Sequence, residues 1–437
     1  MKKTNTIILL FIYSLVVSAL LFDWKSAPIH FSDSTSYLEA SDFFLGKGSL
    51  ARFVDRPPSY PLFLVFFDLI GNKGISVYGQ IVINALSIVI LFLISLRLGL
   101  RLKYAIALAL IAAWNGEVAS YQATILTETL TVFLLLFWFL SRLWMTDKII
   151  SNKKWVTIYL LDVSLLLIKP IFIILPILSY VLLGLFQWYF KKTNLQIKKI
   201  ILGIVLSFVI ISGWSFLYYL DRGIFTFSSI STVNFLGKLN QYGYLRQPEK
   251  IPENIEPDLK FINKNARIDG FYDPYEIIKK LKERNIYSEK RLKIINEYFF
   301  RNRYFDFLLK SLRLTISNLS IVPEIYSNLF IYNYLPFVSY DKAVSIQNDI
   351  WLLIYILGEI GIIGILSGAL ILFQRRQRKD VVMATRMIML VIVVAYVILM
   401  GTFFSYSEYG RLRVPIAHLL TLTSLWFLIN RNNYLKE

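Results

Sequence analysis

The chain is built on apolar blocks of about 18 to 22 residues separated by short charged turns. A helix rises about 1.5 Å per residue, so about 20 apolar residues cross the roughly 30 Å hydrocarbon core of a bilayer. In that core each backbone amide needs a partner, and a helix supplies it within its own segment. The blocks therefore predict an all-α membrane bundle. They exclude a soluble multidomain enzyme and a disordered or fibrous chain. Composition agrees: 56% of residues are in the hydrophobic set and 17% are charged, against about 45–50% and about 25% in soluble domains.

Hydropathy places ten spans near 7–22, 79–98, 104–120, 125–145, 155–169, 171–190, 200–220, 350–373, 381–401 and 413–430. The first can be read as a signal peptide ending at Val17-Ser18-Ala19, but the spans behind it favour an uncleaved first helix. The apolar stretch 155–190 is split because Lys169-Pro170 stands in its middle and proline breaks a helix. The stretch 60–70 is too short to span and reads as re-entrant or interfacial.

Charge sets the orientation. With the N-terminus inside, Lys2/Lys3, Arg97/Arg101/Lys103, Lys148/Lys153/Lys154, Lys191/Lys192/Lys198/Lys199 and Arg375/Arg376/Arg378/Lys379 all fall in the cytoplasm, as does the tail Arg431 to Lys436. That obeys the positive-inside rule, and inversion violates it throughout. The expected setting is a plasma membrane with both termini cytoplasmic. The net charge of +18 is then topological, and no nucleic-acid partner is expected. The chain has no Cys and only two His, His30 and His418, which excludes disulfides, thiolate chemistry and His-rich metal sites.

This topology divides the chain into a transmembrane module, 1–220, with an external loop 23–78; an external loop domain, 221–349; and C-terminal transmembrane helices, 350–437. In the second part an amphipathic helix is expected from Tyr275 to Lys310, and the aromatic stretch Phe307 to Phe337 suits the membrane surface. No internal repeat is visible, so an inverted-repeat transporter has no direct support.

The first external loop holds the best site candidates. Ser32 or Asp33 can cap a short helix carrying Tyr37 and Ala40, and the rigid Arg56-Pro57-Pro58 turn brings a cation to the same level. Asp42 and Asp55 are weaker acidic alternatives, Asp55 being placed to pair with Arg52 or Arg56. Glu128 lies near the outer end of an apolar span, where an ionisable group is costly and points to function. Lys169, Arg411 and Arg413 also fall at outer ends of spans. Tyr37, Tyr60, Tyr406 and Tyr409 can stack on the rings of a ligand, although aromatic belts are expected there anyway. A divalent metal needs several convergent oxygens. Only Asp33 and Asp42 are at hand, so neither a metal nor another cofactor is expected.

The order Asp33-Ser34-x-x-Tyr37, a Gly turn, Arg56-Pro57-Pro58-x-Tyr60-Pro61 and then Gln80 resembles the GT-C glycosyltransferases. More narrowly, it resembles the bacterial branch related to protein O-mannosyltransferases and aminoarabinose transferases. Leu126-Thr127-Glu128 is similar to that branch's acidic motif, and Ile168-Lys169-Pro170 to its Lys-Pro turn. Gly213-Trp214, the segment Phe225 to Ser229, Asn234 and the run Glu408 to Pro415 follow the same order. The chain departs from the pattern at Ser34, where many relatives carry a second acid, and after Trp214, where Asp221-Arg222 come at wider spacing. The resemblance implies a GT-C-like fold and a polyprenyl-phosphate sugar donor. It implies an acceptor hydroxyl on a glycan, lipid or protein, reached from the extracytoplasmic face. It makes Asp33 the base of an inverting transfer, Arg56, Lys169 and Arg411 or Arg413 the phosphate partners, and Glu128 a supporting acid. Two other readings share the topology. An O-antigen ligase or polymerase would place its key residues in 221–349 and would not need the Asp33 to Pro61 block. A lipid-linked sugar transporter or flippase would need charges at the bilayer midplane, where Asp162 and Glu359 are the exceptions.

Overall fold

The computed structural model describes residues 3–146, 150–189, 196–246, 256–257, 260, 278–279, 281–282, 288–318, 340–374, 378–404 and 409–434. Among these there is no β-strand, and an isolated parallel bridge joins Ile29 to Thr124. The helices run α1 Lys3–Leu21, α2 Ser32–Phe44, α3 Leu50–Phe53, α4 Ser59–Ile70, α5 Ser76–Arg97, α6 Leu102–Ala113, α7 Gly116–Ser120, α8 Glu128–Trp144, α9 Asn152–Leu166, α10 Leu175–Tyr189 and α11 Ile197–Arg222. Then come α12 Ser229–Gln241, α13 Glu289–Asn302, α14 Tyr304–Asn318, α15 Tyr340–Gln374, α16 Arg378–Phe404, α17 Tyr409–Arg413 and α18 Ala417–Tyr434.

Every expected span coincides with helix, but the ten are not alike. Among the described residues, six helices are long and apolar enough to cross a membrane, and a seventh crossing exists if α6 and α7 act together. Those two are bent by 45°. The bend follows from Asn115, whose side chain accepts the Val118 N–H at 3.1 Å and starts a new helix inside the apolar block. Helices α8, α9 and α10 have 17, 15 and 15 residues. At about 1.5 Å per residue they fall short of the hydrocarbon thickness without their flanking turns.

One core joins the two ends of the chain. It runs through Leu10 and Val17 of α1, Leu91 of α5, Trp138 of α8, Tyr355 of α15, Val393 of α16 and Leu422 of α18. α15 meets α18 along glycines: a Cβ on Gly358 would lie 2.3 Å from the Leu420 carbonyl oxygen, and one on Gly361 would lie 2.8 Å from that of Thr423. Such close backbone approach is how helices pack where lipid removes the hydrophobic drive. Ile8, Leu9, Ile12 and Val16 of α1 and Ile201, Val205, Phe208 and Val209 of α11 are exposed, as lipid-facing side chains are.

The helix ends that flank the basic clusters gather at one end. Arg386 donates to the Arg97 carbonyl oxygen and to Thr146 Oγ1, each at 2.8 Å, and Lys199 donates to Asn152 Oδ1 at 2.8 Å. Lys148, Lys191, Lys192, Arg375 and Arg376 lie outside the described residues. Buried Asp162 forms an ion pair with Arg142 and accepts hydrogen bonds from Trp138 at 2.7 Å and Tyr180 at 2.5 Å. A carboxylate this fully satisfied ties α8, α9 and α10 together.

The segment after α11 has a core of its own, from Val233, Leu236 and Leu239 to Leu292, Ile295, Phe299 and Phe307. The amphipathic helix expected from Tyr275 to Lys310 is broken at Arg303 into α13 and α14; residues 275–277, 280 and 283–287 fall outside the described residues. Phe307 packs on Phe403 of α16, ring centroids 6.2 Å apart, so α14 lies at the end of α16 remote from the basic turns. Of the surface stretch Phe307 to Phe337, residues 319–337 lie outside the described set.

Candidate active site

The site begins with four stitches that bring distant segments together. Ile29 N–H donates to the Ala123 carbonyl oxygen at 2.7 Å, and Ile125 N–H returns to that of Ile29 at 3.0 Å. Ser34 Oγ donates to the Ile125 carbonyl oxygen at 2.9 Å, fixing the start of α2 against the strand-like approach to Glu128. Gln80, on α5, holds the same approach by donating to the carbonyl oxygens of Gln122 at 3.0 Å and Thr124 at 2.8 Å. Ser59 N–H donates to the Leu167 carbonyl oxygen at 2.9 Å, which ties the Arg56-Pro57-Pro58 turn to the end of α9, just before Lys169.

Asp33 does not cap α2. Phe31 is the N-cap, its N–H given to Ser34 Oγ at 2.9 Å, and Asp33 sits in the first turn, where the helix dipole favours an anion. Its Oδ1 accepts from Arg56 at 2.6 Å and its Oδ2 from Arg411 at 2.9 Å, across 378 residues of sequence. Arg56 also donates from Nε to Ser36 Oγ at 2.7 Å and lies over the Tyr37 ring, 4.6 Å from its centroid. Tyr37 in turn packs edge-on against Tyr60 at 5.2 Å. Arg411 extends the network: its Nε donates to Glu128 Oε1 at 2.5 Å, and Lys169 Nζ reaches the same oxygen at 2.8 Å. Asp33, Arg56, Glu128, Lys169 and Arg411, from five separate chain segments, thus form one continuous ion network.

The two acids differ in setting. Glu128 is fully buried, whereas the Asp33 side chain is 29% exposed. Burial pushes the Asp33 carboxyl up, but Arg56 and Arg411 outweigh it and hold the group lowered to about 2. Burial raises the Tyr37 phenol. Three cations face two carboxylates, so the cluster carries one net positive charge at neutral pH. Among the described residues no group of three or more His, Cys, Asp or Glu gathers in a metal-binding arrangement.

Other candidates lie elsewhere. Arg413 does not reach Asp33. Two residues apart on a helix means about 200° apart around its axis, and Arg413 instead meets Glu117 at 3.9 Å and covers the Tyr355 ring at 4.7 Å. Asp42, nine residues beyond Asp33 and on the opposite face of α2, pairs with Lys73 at 2.5 Å. Asp55 pairs with neither Arg52 nor Arg56 but with Arg222 of α11 at 3.3 Å. Tyr406 lies outside the described residues, and for Tyr409 only the backbone is described. Sequence reasoning missed Ser36, whose signal is its place one turn after Asp33, and Glu117, an acid inside an apolar block at the Asn115-Gly116 break.

No family model matches the chain, and no curated protein matches it. Among solved structures it is similar to the archaeal oligosaccharyltransferase AglB from Archaeoglobus fulgidus, in complex with an inhibitory peptide and a dolichol-phosphate. The two are 12% identical with a TM-score of 0.49, over 99% of this chain and 51% of that one. The chain therefore spans about half the length of that structure. A TM-score below 0.5 at this identity does not establish a common fold.

Proposed function

We propose that the chain is an inverting glycosyltransferase, moving a sugar from a polyprenyl-phosphate donor to an acceptor hydroxyl at the extracytoplasmic face of the membrane. The observation that carries this is the convergence of Asp33 and Glu128 with Arg56, Lys169 and Arg411 in one network. The GT-C motif order in the sequence supports it. An acid beside several cations is what the chemistry needs. The acceptor hydroxyl loses its proton to Asp33 as its oxygen bonds the anomeric carbon. The bond from that carbon to the phosphate oxygen breaks, and the lipid phosphate leaves with the electron pair. Arg56, Lys169 and Arg411 hold that developing charge, the arginines through paired N–H groups and the lysine as a point charge. Glu128 keeps Lys169 and Arg411 aimed into the site.

The extracytoplasmic side is supported by the helix ends that flank the basic clusters, which gather at the other end of the bundle, where the positive-inside rule expects the cytoplasm. Purified Asp33→Asn protein tests the base. Transfer from a polyprenyl-phosphate sugar should fall by about 10²–10⁴-fold, and a wild-type rate would overturn the assignment. A reporter fused after Lys192 should read cytoplasmic; a signal from outside the cell would reverse the topology.

A further inference from the structure

We propose that the donor phosphate is the ligand that unlocks Asp33: Arg56 and Arg411 stay closed on its two carboxylate oxygens until an anionic phosphate takes them, so a competent base exists only after the donor binds. This rests on the function proposed above and adds an order of events to it.

The geometry makes the groups compete. Arg56 spends its terminal nitrogen on Asp33 at 2.6 Å and its Nε on Ser36 at 2.7 Å. Arg411 spends Nη1 on Asp33 at 2.9 Å and Nε on Glu128 at 2.5 Å. Lys169 is held by Glu128 at 2.8 Å. The cations that would receive a phosphate are therefore engaged by carboxylates. The two carboxylates are not equally replaceable. Glu128 is fully buried and anchors both Lys169 and Arg411, whereas Asp33 is the exposed member of the network. The donor's phosphodiester presents two anionic oxygens that fit the same planar guanidinium forks as a carboxylate, so exchange at the exposed Asp33 is the open route.

The exchange alters what Asp33 can do. Among the described residues, the charged or titratable groups that face it belong to this cluster: Arg56, Arg411, Tyr37 and, through Arg411, Glu128. While both arginines hold it, its affinity for a proton is too low for efficient base catalysis. Once the phosphate draws the two guanidinium groups away from it, the carboxylate moves back up toward its ordinary range and can accept the hydroxyl proton. A ligand that binds the open arrangement better shifts the balance toward it by that difference in affinity. An acceptor that enters before the donor meets an occupied base, which protects the site from idle proton transfer.

The test uses the purified full chain and farnesyl phosphate, a short polyprenyl phosphate without sugar, with affinity measured by calorimetry. Removing the internal competitor should help the ligand, so Asp33→Asn should bind farnesyl phosphate about tenfold tighter than wild type or better. Arg56→Gln should bind it more weakly. Unchanged or weaker binding by Asp33→Asn, with Arg56→Gln still weakened, overturns the latch and leaves the phosphate site standing. Unchanged binding in both Arg56→Gln and Arg411→Gln overturns the phosphate site itself. A second measurement needs no variant. In wild type, the acid limb of kcat at saturating donor should lie at higher pH than that of kcat/KM for the donor, because the two report bound and free enzyme. Coincident limbs overturn the proposal.

Discussion

Glu128 is the point at which the site can be pulled apart most cleanly. Its single Oε1 receives Lys169 at 2.8 Å and Arg411 at 2.5 Å, and no part of its side chain reaches solvent. Glu128→Gln preserves shape and removes the charge. Two unit charges about 4 Å apart attract by about 4 kcal/mol at an effective dielectric of 20. Two such contacts are lost, and the amide oxygen that replaces the carboxylate still accepts one hydrogen bond. Removing one partner of a buried pair costs about 3–5 kcal/mol, mostly because the remaining charge is stranded. Glu128→Gln should therefore cost about 3 kcal/mol or more, read as a clear fall in the thermal midpoint of the purified protein. The decisive comparison is a cycle with Lys169→Met. The double variant should be more stable than Glu128→Gln alone, because the stranded ammonium is gone, and the two changes should couple by about 1–3 kcal/mol. Additive effects, or a cost for Glu128→Gln below about 1 kcal/mol, would refute the network as drawn.

Three further outcomes can be checked. Arg411→Gln should raise the donor KM, whereas Arg413→Gln, which loses Glu117 and the Tyr355 ring, should lower the thermal midpoint without a comparable change in KM. Gly358→Ala should destabilise the α15–α18 contact, since its Cβ would fall 2.3 Å from a backbone oxygen that cannot step aside. Lys238 is fully buried in α12, and burial lowers its ammonium to about 7. The unfolded chain binds that proton more tightly, so the penalty is largest below about pH 7 and fades as pH rises toward the ordinary lysine value. Lys238→Met should accordingly raise the thermal midpoint at pH 7, with a gain that shrinks toward pH 10; a gain that grows with pH would show the sign to be wrong.

Much of the fold was legible because its cause is local. An apolar block of the right length must bury its amides in a helix, and lipid makes that demand at every residue. The segments 79–98 and 381–401 therefore appear as α5 and α16 with shifts only at their ends. The break at Asn115 was not legible as a bend, because a side chain capping its own backbone competes with helix by a small margin that tertiary packing decides. The same holds for Arg303, where one expected helix became two.

The sequence alone determined the bundle, the basic turns and the roster of ionisable residues beyond those turns, since each depends on hydropathy and charge within a short window. Only the tertiary structure decided who meets whom. Asp55 had two nearby arginines and took Arg222 of α11; Asp162, unexplained by itself, proved to be the partner of Arg142. Arg411 and Arg413, equivalent on paper, were separated because two residues, about half a helical turn, aim them to opposite sides. The contact that makes the site, Asp33 with Arg411, closes a loop of 378 residues. No local propensity encodes it; the packing of α1, α5, α8 and α18 into one core brings those ends together.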